Sequence, residues 1–241
     1  MNHNEYALIT GASRGIGASI AKQLAKDGYN ILLNYKSNDL KAKKVCFEIQ
    51  KLGRKCELLK FDVSDSKSTM LKLKPHIKNK KIKILVNNAS HRVKKSFLKT
   101  TEEDWNGIVN VVLGGFYNLT KHVLPNMTAN KGGRIINITS IGAFSADVNV
   151  GYAAAKAGLV GATRALANEV KKRNILVNAI APGPIYTDYF GNKTREEASL
   201  AVGGNKIGEP EDIANIVSFL CSDKANYING QIIHVNGGMY I

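Results

Sequence analysis

The chain has 241 residues, which is enough for one large α/β domain with its own hydrophobic core. Its formal net charge of +15 comes from 27 lysines and 7 arginines set against 19 acidic residues. Because the basic residues are spread over the whole length without interleaved aromatics, we expect a solvated, lysine-rich surface and no nucleic-acid site. Attraction for acidic partners or anionic ligands is the alternative. No run reaches the roughly 18–20 apolar residues that span a bilayer, so we expect no membrane segment.

The cysteines and the first residues indicate the cellular compartment in which the protein works. Cys46, Cys56 and Cys221 are odd in number and lack metal-ligand spacing, so we predict reduced thiols and no metal site. The first five residues carry no charged region followed by an apolar core, which argues against an export signal. We therefore expect a cytoplasmic protein.

Apolar, β-branched runs alternate with helical patterns along the chain, an order typical of βαβ crossovers. Strands are predicted near 6–9, 30–34, 56–60, 82–86, 132–138, 175–181 and 231–235. Helices are predicted near 15–27, 38–52, 65–79, 101–127, 151–171 and 209–221. The fold class is thus α/β: a single doubly wound Rossmann domain over 1–241, with a seven-stranded parallel sheet flanked by helices on both faces. The glycine-rich, charged stretch 187–208 has no clear pattern, and we expect it to be a substrate lid.

The most informative motif is Thr10-Gly-Ala-Ser-Arg-Gly-Ile-Gly17, which lies between the first strand and the first helix. Gly11 allows a tight turn, Gly15 lets the backbone approach a pyrophosphate, and Gly17 lets helix pack on strand. The helix N-terminus offers unpaired N–H groups to that pyrophosphate. The sequence therefore predicts a dinucleotide site.

Three Tyr-x-x-x-Lys pairs occur, a spacing that places both side chains on one helix face. They are Tyr117/Lys121, Tyr152/Lys156 and Tyr189/Lys193. Only the second follows an apolar strand that ends in a serine, Ser140. Ligands of open α/β sheets bind at the carboxyl ends of the strands, so we expect Ser140 and Tyr152 to meet beside the dinucleotide. The other two pairs are expected on solvated faces.

These motifs carry a family resemblance over essentially the whole chain. The matching pieces are residues 10–17, Asp62-Val63, Asn87-Asn88-Ala89, Ser140, Tyr152/Lys156, Pro182-Gly183 and the ending His234-Val-Asn-Gly-Gly-Met-Tyr240. In this order and spacing the chain resembles the short-chain dehydrogenases/reductases, and among them most the β-ketoacyl-[acyl carrier protein] reductases.

The resemblance implies catalytic roles for three residues. Tyr152 would be the general acid, Lys156 would lower the tyrosine's pKa and hold the nicotinamide ribose, and Ser140 would polarise the substrate carbonyl. A nicotinamide dinucleotide would be held by Gly11, Ser13, Arg14, Gly15, Ile16, Gly17, Lys36, Asp62, Val63, Asn88, Ala89, Tyr152, Lys156, Pro182, Gly183, Ile185 and Thr187.

The second strand favours NADPH as that cofactor. An NAD site places an acidic residue at the end of this strand to bind the ribose 2′-OH. This chain has Asn34-Tyr35-Lys36 there, with no acid before Asp39. Arg14 and Lys36 are expected to face a 2′-phosphate. The alternative is that Lys36 points into water.

Three departures from the family pattern concern the reaction centre. Val112 stands where the family has an asparagine that kinks the long central helix and helps to hold a relay water. Asn110 lies two residues away, on nearly the opposite face of that helix. Ser90 replaces the glycine of Asn-Asn-Ala-Gly, and the interval from Ser140 to Tyr152 is one residue short.

The resemblance implies an NADPH-dependent reductase of 3-oxoacyl thioesters in fatty-acid or polyketide-like synthesis. The alternatives are an alcohol dehydrogenase for another small ketone and a catalytically impaired dinucleotide-binding partner subunit. The expected partners are an acyl carrier protein and other copies of the chain in a homotetramer formed through the two long helices. The carrier is expected to dock on Lys131 and Arg173, with Lys171 and Lys172 beside them, near the active-site mouth.

Overall fold

A computed structural model describes residues 4–145, 148–202 and 206–241. Its seven strands form one parallel sheet in the order β3-β2-β1-β4-β5-β6-β7. They are β1 (Glu5–Ile9), β2 (Asn30–Tyr35), β3 (Cys56–Lys60), β4 (Lys81–Asn87), β5 (Gly133–Ile138), β6 (Ile175–Pro182) and β7 (Ile232–Val235). The predicted fold class is confirmed. The assignment of the whole chain to one domain stays a prediction.

The described part of the chain contains eight α-helices. They are α1 (Gly15–Lys26), α2 (Asp39–Lys51), α3 (Ser66–Asn79), α4 (Glu102–Val109), α5 (Gly115–Ala129), α6 (Val150–Val170), α7 (Arg195–Leu200) and α8 (Pro210–Cys221). One face of the sheet packs against α1, α2 and α8, and the other against α3, α5 and α6. The central strands are buried on both faces, which explains why they read as continuous apolar runs.

The helix predicted over 101–127 is divided in the structure. A π-helical segment, Asn110–Gly114, separates α4 from α5, and the backbone N–H of Gly115 donates to the carbonyl of Asn110. The extra residue in this turn is invisible to a pattern with a regular helical period. Single π turns are frequent at functional sites, and this one includes Val112.

The stretch 187–208 is also more ordered than its sequence suggests. It contains a 3₁₀ turn, Asp188–Phe190, and the short helix α7. The side chains of Thr194 and Glu197 form a capping box that starts α7. Residues 203–205, within the same stretch, lie outside the described residues.

The three cysteines are buried free thiols. Among the described residues, no group of three His, Cys, Asp or Glu side chains could hold a metal ion. No helix in that part of the chain is both long enough and apolar enough to cross a membrane.

Candidate active site

The glycine loop between β1 and α1 has the tight geometry that its sequence predicts. Gly11 and Gly15 have positive φ angles of 62° and 54°, which favour glycine. A Cβ on Gly17 would lie 2.5 Å from the Asn88 amide nitrogen and 2.6 Å from the Gly11 carbonyl oxygen. These three positions therefore exclude side chains, while Ser13 is half-buried and Arg14 is exposed on the loop.

The first turn of α1 is left open toward the loop. Arg14 is the N-cap residue, its side chain makes no cap hydrogen bond, and the first turn contains no acidic residue. In contrast, side chains of Asn38, Asp65 and Asn149 cap α2, α3 and α6. The free N–H groups and partial positive charge of α1 fit the pyrophosphate of a dinucleotide. Ile16, in this turn, packs on the core with its half-buried side chain.

The carboxyl end of β4 braces this loop from the other side. Asn88 donates from its amide to the carbonyls of Thr10 and Gly11, at 2.8 and 3.3 Å. The Thr10 hydroxyl accepts from the backbone N–H groups of Asn88 and Ala89, both at 2.9 Å. Asn88 therefore acts on the loop that would hold a cofactor.

The ends of β2 and β3 lie beside the glycine loop. Asn34 accepts from the Gly11 N–H at 3.3 Å and donates to the Leu59 and Phe61 carbonyls, so it ties the two strands to the loop. The Lys36 side chain is 71% exposed, and its Nζ pairs with Asp62 at 2.7 Å.

This ion pair changes the charge that each partner presents. Burial raises the pKa of Asp62, but hydrogen bonds from Lys36 and Ser64 outweigh it and hold the pKa below its ordinary value. The carboxylate at the end of β3 therefore partly neutralises Lys36. Val63, the next residue, is buried against Gly115 of α5.

The segment after β6 approaches the glycine loop from above the sheet. Pro182 ends β6, and Gly183 passes so close to Asn236 that a Cβ on it would lie 2.9 Å from that residue. Ile185 is buried and bridges to Gly208. Thr187 lies at 3.3 Å from the position of a Cβ on Gly15.

An ion pair between Asp188 and Lys41 of α2 joins this segment to the other side of the glycine loop. Both side chains are about half exposed. The contact connects two elements that would flank the adenosine part of a dinucleotide.

Ser140, Tyr152 and Lys156 lie together at the carboxyl end of β5. Tyr152 lies in the first turn of α6 and is buried. Lys156 lies one turn further, with its Nζ 5.7 Å from the centre of the Tyr152 ring. Its ammonium donates to the carbonyl of Ile138 at 2.7 Å, and its side chain is only 2% exposed.

The environment of Tyr152 makes its phenol a stronger acid. Burial raises the pKa of the phenol, but the charges of Lys156 and Arg92 and hydrogen bonds from Ser140 and Ser90 outweigh it and lower the pKa below its ordinary value. The pKa of Lys156 is also lowered, chiefly by burial and partly by Arg92, while Tyr152 opposes the shift. A phenol with a lowered pKa beside a buried ammonium is an acid–base group.

A buried polar chain holds the strand ends that carry these groups. Asn87 of β4 donates to Asn137 of β5 at 2.9 Å, and Asn137 donates to Thr163 of α6 at the same distance. Sequence reasoning assigns no role to these residues. Their buried positions on apolar strands are the available signal, because buried amides need partners.

The apolar side of Tyr152 is formed by the π segment. Val112 and Ile108 are buried in one cluster with Tyr152, Ala155 and Leu159. Asn110 is exposed, so it does not take the place of the family's asparagine. The side chains that this segment and α4 pack in the cluster with Tyr152 are apolar.

The loop after β4 supplies a second group of site residues that the sequence does not reveal. Arg92 lies over the rings of Tyr152 and Tyr189, with its guanidinium carbon 4.5 and 4.8 Å from the ring centres. Lys94 lies 4.3 Å over the Tyr189 ring. These side chains line a cleft of about 380 Å³.

Tyr117 and Tyr189 are both exposed, at 59% and 45%, as the sequence predicts, although the Tyr189 ring also lines the cleft beside Tyr152. The expected position of the carrier-docking residues is wrong. Lys131 and Arg173 precede β5 and β6, so they lie at the amino edge of the sheet and not at the active-site mouth of their own subunit. The six residues of β5 separate the two edges by about 20 Å at 3.3 Å per residue.

Comparisons with known proteins agree with this geometry. The short-chain dehydrogenase family model described as enoyl-(acyl carrier protein) reductase matches residues 11–240. A 3-oxoacyl-[acyl-carrier-protein] reductase FabG of Staphylococcus epidermidis is 40% identical, over 99% of this chain and all of the relative. The protein of the same name from Aquifex aeolicus is 39% identical, over 97% and 96%.

Solved structures show the same relationship. The acetoin dehydrogenase of Enterobacter cloacae superposes with a TM-score of 0.89 at 32% identity, covering 98% of this chain and 95% of that one. The acetoin dehydrogenase YohF of Salmonella typhimurium gives 0.87 at 29%, with the same coverage. With the glycine loop, the parallel sheet and the Ser140–Tyr152–Lys156 site in place, these matches show that the chain belongs to the short-chain dehydrogenase/reductase family.

Proposed function

We propose that the protein reduces the 3-keto group of a 3-oxoacyl thioester on an acyl carrier protein, with NADPH, to the 3-hydroxy product. The convergence of Ser140, Tyr152 and Lys156 at one edge of the sheet carries the reductase chemistry. Whole-length identity of about 40% to relatives named for this reaction supports the thioester substrate.

Family membership implies a nicotinamide dinucleotide as the cofactor. The uncapped start of α1 and the glycine positions that exclude a Cβ fit its pyrophosphate. The loop residues, Asp62 and Val63 at the end of β3, and Ile185 and Thr187 after β6 would hold it, with Lys156 at the nicotinamide ribose. When bound, the cofactor supplies the hydride.

The protein's own groups would handle the substrate oxygen. The Ser140 hydroxyl orients the carbonyl, and Tyr152 donates its proton to the oxygen as the C–O double bond becomes a single bond. The positive charge of Lys156 stabilises the phenolate that Tyr152 becomes. A proton from solvent then restores the phenol.

Reduction of a smaller ketone is the second candidate. The two acetoin dehydrogenases superpose closely, although their identities are lower than those of the thioester reductases. Assay of an acetoacetyl thioester against acetoin or diacetyl, by loss of NADPH absorbance, separates the candidates. Activity with neither, despite NADPH binding, would favour an impaired partner subunit.

The cofactor's phosphorylated form is supported by the cations at the end of β2. Arg14 is exposed on the glycine loop, and Lys36 projects from the strand end with 71% of its side chain exposed. The partner of Lys36, Asp62, limits its contribution, so we assign the larger share to Arg14.

We further propose a homotetramer working in the cytoplasm, with residues 187–208 as the substrate lid. The Lys41–Asp188 ion pair and the place of Tyr189 beside the cleft support the lid. Three buried free thiols are consistent with a reducing compartment.

Replacement of Tyr152 by phenylalanine should lower kcat for thioester reduction by about 10²–10⁴, because it removes only the transferable proton. Calorimetric titration should give an almost unchanged Kd for NADPH. Lys156→Ala should impair both quantities. A Tyr152→Phe enzyme with most of its activity would exclude Tyr152 as the acid.

Arg14→Ala should weaken NADPH binding by about tenfold and leave NADH binding unchanged, because only the 2′-phosphate loses a charged partner. Lys36→Ala should have a smaller effect of the same kind. Lys44→Ala, an exposed lysine of α2, is the matched control. Tyr35 is unsuitable for a cofactor switch because its side chain is buried and its hydroxyl donates to Asp39. Equal wild-type affinity for both cofactors would contradict the assignment.

The tetramer is expected to form through α4–α5 and α6. The small residues Ala154, Ala157, Gly158 and Gly161 of α6 permit close helix approach. Light scattering at micromolar concentration should therefore give four times the mass of the 26.2 kDa chain. A monomer under these conditions would disprove this assembly.

The carrier-docking proposal now depends on the assembly. Because Lys131 and Arg173 lie at the amino edge, a carrier bound there would serve the site of a neighbouring subunit. Reversing both to glutamate should raise KM for the carrier-bound substrate and spare a small thioester.

The control is the double reversal of Lys72 and Lys74, which are exposed on α3 and change the net charge equally. Loss of activity on both substrates would indicate structural damage. An unchanged KM would mean that the carrier docks elsewhere.

A further inference from the structure

The cleft beside Tyr152 is lined by two cations that rest on aromatic rings. The Arg92 guanidinium carbon lies 4.5 Å from the centre of the Tyr152 ring and 4.8 Å from the centre of the Tyr189 ring. The Lys94 ammonium lies 4.3 Å from the centre of the same Tyr189 ring. Two positive charges are therefore held in the cleft, one of them against the residue that would donate the proton.

The loop that bears these cations is fixed to the start of α6. The Asn149 amide donates to the carbonyl of Lys95 at 2.9 Å and to the Thr100 hydroxyl at 3.2 Å. The side-chain oxygen of Asn149 accepts from the backbone N–H of Tyr152 at 3.3 Å. The loop is thus tied to the helix turn that carries Tyr152 before a ligand arrives, and a preformed site costs less to bind.

The cleft supplies its cations with no negative charge of its own. Its described lining contains no acidic side chain, and the third cation there, Lys95, pairs with Asp104. In the part of the chain that the structure describes, neither Arg92 nor Lys94 has an ion-pair partner. A ring face attracts a cation, but it does not replace an oxygen acceptor for the N–H donors. Both cations can therefore still bind an anion.

The other walls of the cleft fit the carbon chain of a substrate. Val93, Phe97, Val148 and Val150 line it together with Tyr152. The volume of about 380 Å³ is in the range of small-molecule sites. A ligand in this cleft would place carbon atoms on apolar side chains and a negative group against the cations.

The distance from the cations to Tyr152 limits where that negative group lies on the substrate. A ketone oxygen that receives the proton must come within hydrogen-bond distance of the phenol. Because Arg92 lies against the ring of that phenol, an anion paired with Arg92 lies roughly 10 Å or less from the ketone. This distance fits a single molecule that carries both groups.

We propose that Arg92 and Lys94 form an oxyanion subsite, which binds a carboxylate or phosphate group of the ketone substrate. The guanidinium pairs with two oxygens of the anion, and the ammonium adds a second positive charge at the Tyr189 ring. The anion has two chemical sources, a carboxylate on the acyl chain or a phosphate on the thiol that carries it. The short distance to the ketone favours the acyl chain. The inference deepens the proposed reductase function and rests on it.

The first test compares two N-acetylcysteamine thioesters of equal chain length, 3-oxohexanoyl and 3-oxoadipyl, of which the second ends in a carboxylate. We expect Arg92→Gln to lower the ratio of kcat/KM for the charged over the neutral thioester about tenfold, because charge-assisted hydrogen bonds are lost. Lys94→Gln should lower the ratio less, and Arg92→Lys should keep part of it. Comparing ratios cancels any general effect of Arg92 on the acidity of Tyr152.

A control and a second substrate pair identify the source of the anion. Lys99→Gln removes an exposed lysine outside the cleft and should keep the wild-type ratio. The 3-oxohexanoyl thioesters of phosphopantetheine and pantetheine differ only in the phosphate. A lower ratio in Arg92→Gln assigns the anion to the acyl chain if it occurs in the first pair, and to the carrier thiol if it occurs in the second. Unchanged ratios in both pairs, or an equal fall in Lys99→Gln, would overturn the subsite.

Direct binding separates this inference from the proposed function. Tyr152→Phe removes the transferable proton and keeps the ring, so both thioesters can be titrated calorimetrically into its NADPH complex without turnover. Adding Arg92→Gln should raise the Kd of the 3-oxoadipyl thioester about tenfold more than that of the 3-oxohexanoyl thioester. If the wild-type protein reduces neither thioester, the proposed function fails. The selective change in Kd would then still support the subsite, and its absence would overturn it.

Discussion

Burial of the Lys156 ammonium is the constraint on which the rest of the site depends. A charge removed from water is costly unless polar groups surround it. Lys156 finds one in the Ile138 carbonyl, at the end of β5, and a second in the phenol of Tyr152. The strand end, the turn with Ser140 and the first turn of α6 must therefore keep one arrangement, or the ammonium is left without partners.

Buried polar side chains beneath this site also need hydrogen-bond partners, and they find them in one another. Asn87, Asn137 and Thr163 link two strands and α6 across an otherwise apolar core, and each bond fixes one element against the next. Removal of any member would leave a buried amide or hydroxyl unpaired. The position of the reacting groups therefore also depends on these buried hydrogen bonds between β4, β5 and α6.

Much of the fold and of the site could be predicted from sequence because the responsible signals are local. Strands that are buried on both faces appear as apolar runs, and Ser140 and Tyr152 could be paired because strand ends determine where ligands bind. Tertiary contacts leave no such signal. In the sequence, Arg92 cannot be told from the other cations of a basic chain. Its role is visible only in the fold, where it lies over the rings of Tyr152 and Tyr189. The π turn is hidden because one extra residue leaves the apolar pattern of 101–127 almost unchanged.

Ser90 and Val112 show why departures from a family pattern should be considered together. Taken singly, a side chain in place of glycine and an apolar residue in place of asparagine each suggest damage to the site. In the fold, both positions face Tyr152, one from the loop after β4 and one from the π segment. The side chains on the helix side are apolar, whereas the loop side has an exposed hydroxyl in Ser90. Tyr152 and Lys156 keep their mutual arrangement beside both departures, so neither change removes the acid or its cation.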